Sequence, residues 1–120
     1  MYQLIVKRIY APVELTDGYR ILTDKLWPRG MAKEKAAIDY WGKEISPTTS
    51  LRQWFNHQPE RFPDFTEQYT AELNANPDDQ AFVERCREQL QQHNVTLLYG
   101  AKDEQHNHAL VLRDWLKKQL

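Results

Sequence analysis

The sequence predicts a single α/β domain, a small and mostly parallel or mixed sheet flanked by helices, spanning residues 1–120. Two kinds of apolar pattern predict it. Runs rich in β-branched and aromatic residues, Leu4–Tyr10, Tyr19–Leu26 and Val95–Tyr99, read as strands. Elsewhere Phe65, Tyr69 and Leu73, then Phe82, Cys86 and Leu90, then Ala109, Leu112, Trp115 and Leu116 recur at helical spacing. A chain of 120 residues is the size of one domain and buries roughly 65% of its unfolded surface.

Pro12 and the Thr16-Asp17-Gly18 turn separate the first two strands. That gap is short for a parallel crossover, so these strands are expected to be antiparallel neighbours or not adjacent in the sheet. Trp27-Pro28 ends the second strand, because Pro28 cannot donate a ladder hydrogen bond. In residues 31–48, Lys33–Ala37 suits a helical turn and Ile38–Ile45 suits an extended segment. Pro47-Thr48-Thr49-Ser50 supplies hydroxyl caps for a short helix through Leu51, Trp54 and Phe55. Residues 57–63, with two prolines, read as a loop. Asn74-Ala75-Asn76-Pro77 divides the next two helices, with Asp78 or Asp79 capping the second. The last helix is expected to begin near Gln105, and Lys117-Lys118 suit its negative C-terminal end. Trp54 and Trp115 fall on apolar helix faces and are expected to pack, whereas Trp27 and Trp41 are expected to rim a pocket.

Hydrophobic residues make up 41% of the chain and charged residues 28%, with a net charge of −1. No global field draws such a chain to nucleic acid or anionic lipid. A single cysteine, Cys86, excludes an internal disulfide framework and a multi-cysteine zinc site. Its register with Phe82 and Leu90 makes it a buried small hydrophobe. The N-terminal apolar residues are interrupted by Lys7 and Arg8, unlike a signal peptide. No apolar run approaches the ~20 residues that span a bilayer. The expected compartment is the cytoplasm.

Ligands of open α/β sheets bind outside the carboxyl ends of the strands. The polar residues that follow the second and third strands are therefore the candidates for a site: Asp24, Arg29, Lys102, Asp103, His106, Asn107 and His108. Pro28 stiffens a turn carrying Arg29, which suits a bidentate clamp on phosphate or carboxylate. Alternatively, Arg29 braces the loop by pairing with Asp24, Asp39 or Asp103. Asp103 is a candidate base or a helix cap. His106 and His108 are candidate proton carriers or satisfied structural histidines. A metal site is not expected, since two histidines two residues apart do not share a helical face and no His-x-x-x-His or Cys-x-x-Cys pair supports them.

The run Asp17-Gly18-Tyr19-Arg20, followed by Asp24-Lys25-Leu26-Trp27-Pro28-Arg29-Gly30, resembles the signature of the YeaO-like proteins. These are one branch of a large family defined as a domain of unknown function, DUF488. The resemblance continues through Trp41-Gly42-Lys43-Glu44, Leu51-Arg52-Gln53-Trp54-Phe55, Val95-Thr96-Leu97-Leu98-Tyr99, Ala101-Lys102-Asp103 and His106-Asn107, covering almost the whole chain. It implies a compact α/β domain and carries no established activity. Relatives usually have arginine where Lys25 stands. Longer relatives place cysteines and a Cys-His-Arg element near the segment corresponding to Tyr99–His108. This chain has none there, so the resemblance does not extend to thiol chemistry.

These observations lead to an expected function: recognition of an anionic small molecule, a phosphate- or carboxylate-bearing compound or a nucleotide, at the strand ends. Arg29 and Lys102 bind the anion with Asn107, Trp27 and Trp41 nearby, Asp24 and Asp103 orient them or act as base, and His106 or His108 moves protons. The alternative is a non-catalytic module that meets single-stranded nucleic acid or a protein through Trp27, Trp41 and adjacent cations.

Overall fold

A computed structural model describes residues 2–120. Four strands, β1 (Leu4–Arg8), β2 (Tyr19–Leu22), β3 (Tyr40–Trp41) and β4 (Val95–Tyr99), form one sheet in the order β1-β4-β2-β3. Every pairing is parallel. β4 enters between the first two strands, with Leu97 opposite Val6 on one side and Ile21 on the other. The first two strands are therefore non-adjacent, one of the two arrangements that their short connection allows. All five β4 residues are buried, as the continuous apolar run of a central parallel strand requires.

Among the described residues five α-helices complete the domain: α1 (Lys33–Ala36), α2 (Thr49–Phe55), α3 (Phe62–Ala75), α4 (Asp79–Leu90) and α5 (His108–Gln119). Helix α2 starts where the hydroxyl signal places it, since the Thr48 side chain accepts from the Leu51 N–H at 3.3 Å. Several boundaries differ from expectation. β2 ends at Leu22, not Leu26, because the Asp24 carboxylate takes the Gly100 N–H at 3.0 Å and the ladder stops. Residues 57–63 are not a plain loop. Pro59 opens a 3-10 turn and Pro63 lies in the first turn of α3, where a missing N–H costs no helical hydrogen bond. The last helix starts at His108, since Asn107 and not Asp103 caps it. Trp54 is exposed rather than packed, whereas Trp115 is buried.

Alternation along the strands divides the side chains between two faces. On one face Val6, Ile21, Val95 and Leu97 meet α2–α5 in the main core. The other face has only the single turn of α1 as a helical cover. Ile9, Leu22, Leu98 and Ala36 make a small second core there, with Trp27 and Trp41 against it. The rest of that face carries Lys7, Arg20 and Thr96, which a buried carboxylate ties together. Asp17 accepts from Lys7 Nζ at 2.9 Å and from an Arg20 terminal nitrogen at 2.5 Å, while the Thr96 hydroxyl donates to its carbonyl at 2.7 Å. Arg20 spends its remaining donors on the carbonyls of Ala36 and Ala37, which closes the end of α1. Its backbone N–H donates to Asp39 at 2.8 Å, fixing the entry to β3. Gly18 permits the approach. Its φ is +65°, and a Cβ there would collide with the Asn94 carbonyl. The signature run Asp17-Gly18-Tyr19-Arg20 thus has a structural role.

Two outcomes follow from this packing. Burial pushes the Asp17 carboxyl up, but hydrogen bonds from Lys7, the Glu14 N–H and Arg20, with the charge of Lys7, outweigh burial and hold it below the ordinary 3.8. A depressed folded-state value contributes stability above the unfolded pKa and loses it as pH falls through the folded one. Asp17→Asn is expected to cost about 3–5 kcal/mol at pH 7, the scale for breaking a buried ion pair. In urea titrations the gap to wild type should narrow as pH falls below the ordinary carboxylate range, and a gap independent of pH would contradict this. Burial pushes the Cys86 thiol up to about 12, and the residue has no exposed surface. A thiol reagent should label the native protein only at the rate at which it opens.

Candidate functional site

Because β2 and β4 are adjacent and parallel, the loops that follow them leave the sheet side by side. The segments 23–30 and 100–107 open one cleft of about 480 Å³, and the end of α2 closes its far side. Asp24, Trp27, Arg29, His106, Asn107 and His108 all line it. Three of the residues singled out from sequence do not. Lys102 faces a neighbouring cleft with Arg8 and Arg113, so the expected convergence of Arg29, Lys102 and a histidine fails at Lys102. Asp103 and Trp41 stand behind the walls.

At the strand ends the polar groups form a connected set. The Thr23 hydroxyl donates to the Leu98 carbonyl at 2.8 Å, joining β2 to β4 beyond the ladder. Its oxygen lies 3.0 Å from His108 Nε2. Since the Thr23 proton is spent on Leu98, this oxygen accepts, which assigns the proton to Nε2 of His108. Asp24 Oδ1 lies 3.1 Å from the same nitrogen, yet it is buried without a hydrogen-bond partner. A ring nitrogen has one proton, and here it goes to Thr23. Gly100 is needed at this point, because a Cβ would sit 2.7 Å from the Asp24 carboxylate.

Asp103 organises the second loop rather than facing the cleft. Its Oδ1 accepts the N–H groups of Gln105 and His106 at 2.9 and 3.0 Å, and its Oδ2 holds His106 Nδ1 at 2.9 Å. The Gln105 N–H and the His106 ring keep this carboxyl below the usual range. Asp103 is therefore a positioning residue for His106, whose ring meets Phe62 edge-on at 5.3 Å. Asn107 is buried with both ends of its amide engaged, accepting from the Leu110 N–H and donating to the Asp103 carbonyl. Trp41 donates to the Asp24 carbonyl at 2.7 Å and packs edge-on against Trp27 at 5.2 Å. Both indoles brace the loop.

Arg29 is exposed and, among the described residues, makes no ion pair. It does not brace against Asp24, Asp39 or Asp103. Sequence reasoning missed the α2 contribution. Arg52, Phe55, Asn56 and His57 line the cleft, and Asn56 and His57 both hold left-handed backbones with φ of 46° and 54°. Arg52 Nε is buried and unpartnered. The two buried side-chain atoms without a partner among the described residues thus both belong to residues of this cleft. Tyr10, after β1, was also missed; it lines the cleft and donates its hydroxyl to the Arg29 carbonyl at 2.7 Å. Arg52 sits on α2, and only packing of that helix over the sheet brings it to the strand ends.

Thr23→Val is expected to lower stability by about 1–3 kcal/mol, since it removes the acceptor of the His108 N–H and one of the two hydrogen bonds to the Leu98 carbonyl, which keeps only the backbone N–H of position 23. Thr23→Ser should restore most of it. Equal stability of Thr23→Val and wild type in denaturant titrations would contradict the network.

The chain matches the model of a family described as the "Inactive DUF488-N3 subclade" over residues 3–120. It is 47% identical to the uncharacterised protein YeaO of Escherichia coli (strain K12) over 92% of this chain and 94% of that one. It is 34% identical to the uncharacterised protein Rv3073c of Mycobacterium tuberculosis, and equally to Mb3100c of Mycobacterium bovis, over 92% of this chain and 91% of each. No solved structure matches it. Among the described residues no helix is long and apolar enough to cross a membrane.

Proposed function

Since the chain belongs to the inactive DUF488-N3 subclade, we propose that it binds an anionic small molecule in the strand-end cleft and does not turn it over. The charge of the cleft walls supports this above any other feature. Lys25, Arg29 and Arg52 are permanent cations, and Asp24 is the single carboxylate among the lining residues. His57, His106 and His108 add further hydrogen-bonding groups. Net charge of the whole chain is −1, so these cations are a local excess, as are Lys7, Arg8, Lys102 and Arg113 in the neighbouring cleft. The one thiol, Cys86, is sealed on α4 in the main core and cannot serve as a nucleophile here. The word "inactive" in the family description agrees with a cleft that offers cations but no activated nucleophile.

Arg29 and Arg52 approach from opposite walls, on the 23–30 loop and on α2. A phosphate or carboxylate between them satisfies the guanidinium donors that the protein leaves free. The aromatic side chains do not favour the alternative, a flat stacking surface for nucleic acid. Trp27 and Trp41 pack against each other, and Lys43 Nζ covers the Trp41 ring at 4.0 Å.

Thermal shift at low ionic strength tests the proposal. Inorganic phosphate and adenosine monophosphate should raise Tm, with about 2.7 kcal/mol added at 100 times Kd. Arg29→Ala, at an exposed and unpaired position, should leave the Tm of the free protein unchanged and weaken binding roughly tenfold or more, as loss of a charge-assisted hydrogen bond implies. Full binding by both Arg29→Ala and Arg52→Ala, or no shift with any anion, would refute it.

A further inference from the structure

We propose that the anion held in this cleft carries an aromatic ring, and that Tyr10 is the platform on which that ring stacks. The inference rests on the anion-binding function proposed above and names the class of ligand: an aryl or nucleoside monophosphate rather than a simple phosphate or sugar phosphate.

Three observations converge on Tyr10. Tyr10 lines two clefts at once, the strand-end cleft and the neighbouring one that holds Arg8 and Lys102. The Arg8 guanidinium lies over the ring, 4.9 Å from its centroid, and Arg8 belongs to the neighbouring cleft alone. The ring is therefore backed by a cation on its Arg8 side, while Tyr10 also borders the strand-end cleft, where Arg8 does not reach. Arg8 is itself fixed, since its Nε donates to the Ala101 carbonyl at 2.8 Å.

Second, the platform is rigid and registered to the anion site. The Tyr10 hydroxyl donates to the backbone carbonyl of Arg29 at 2.7 Å, so the ring and the loop carrying the clamp residue move together. Yet the side chain remains 40% exposed, which is unusual for an aromatic ring held at both its hydroxyl and one face. An immobilised ring with a free face loses little entropy on stacking.

Third, the cleft is larger and more apolar than a bare oxyanion needs. At about 480 Å³ it falls in the range that accepts drug-sized molecules, roughly 300–1,000 Å³. Leu26, Trp27, Pro28, Phe55 and Phe65 supply apolar wall beside the cations. A ligand with a flat apolar body and one anionic end matches that division.

Calorimetric titration of the full chain with inorganic phosphate, ribose 5-phosphate and adenosine monophosphate tests the proposal. Wild type should bind adenosine monophosphate at least roughly tenfold more tightly than either of the other two. Tyr10→Phe, which keeps the ring, should retain that preference, and Tyr10→Ala should abolish it, bringing the affinity for adenosine monophosphate to within about twofold of the affinity for phosphate measured on the same variant. Equal affinity of wild type for all three, or an equal loss for phosphate and nucleotide in Tyr10→Ala, overturns the stacking role while leaving anion binding intact. Failure of wild type to bind any of the three overturns both.

Discussion

The buried carboxylate of Asp17 is the interaction on which the rest of this fold depends. Strand β4 lies between β1 and β2, so both faces of the sheet must be covered. Helices α2–α5 cover one face, but the other has only the single turn of α1 and irregular chain. Without a buried counter-charge Lys7 would keep only the exposed Glu14, and Arg20 would be stranded beneath that thin layer. Asp17 supplies it, and Arg20 then closes α1 and holds Asp39 at the start of β3. Isolated buried charges cost several kcal/mol each, and here each Arg20 side-chain nitrogen and the Lys7 amine find an acceptor.

The site inherits its geometry from that arrangement. Once β3 is fixed, Trp41 reaches the Asp24 carbonyl and Trp27 packs on Trp41. The 23–30 loop then stands against the 100–107 loop, with the Asp24 carboxylate bonded to the Gly100 N–H between them. Protein groups satisfy the loop backbones, which leaves Arg29 and Arg52 free of ion pairs. The scaffold is closed on itself and these cations are not.

Much of this was legible in the sequence. The apolar runs at Leu4, Tyr19 and Val95 located the three main strands, and the polar residues after two of them located the cleft. The two-residue β3 left no periodic signal, because Tyr40 and Trp41 are too few to alternate. Lys102 was misplaced because Gly100 and Ala101 turn the chain, and sequence does not reveal the direction of that turn. Arg52 and Tyr10 come from a helix and a strand end whose approach depends on tertiary packing. Trp54 shows the limit of helical periodicity over seven residues: Leu51 and Phe55 take the buried line, and the residue between them points out. Asp103 carried two sequence readings, base and cap of the last helix; Asn107 takes the helix cap, and Asp103 instead accepts the Gln105 and His106 N–H groups in the preceding turn, a placement set by the loop and not by residue type.

Binding of an anion at the ends of β2 and β4 is the central claim, and chemical-shift mapping tests it most directly. In an 15N-labelled sample titrated with inorganic phosphate at low ionic strength, the account predicts saturable shifts of the Gly100, Ala101, Arg29 and Asn56 amides and of the Arg52 Nε–H. Shifts confined to Lys102, Arg113 and their neighbours, or uniform small drifts without saturation, would contradict it.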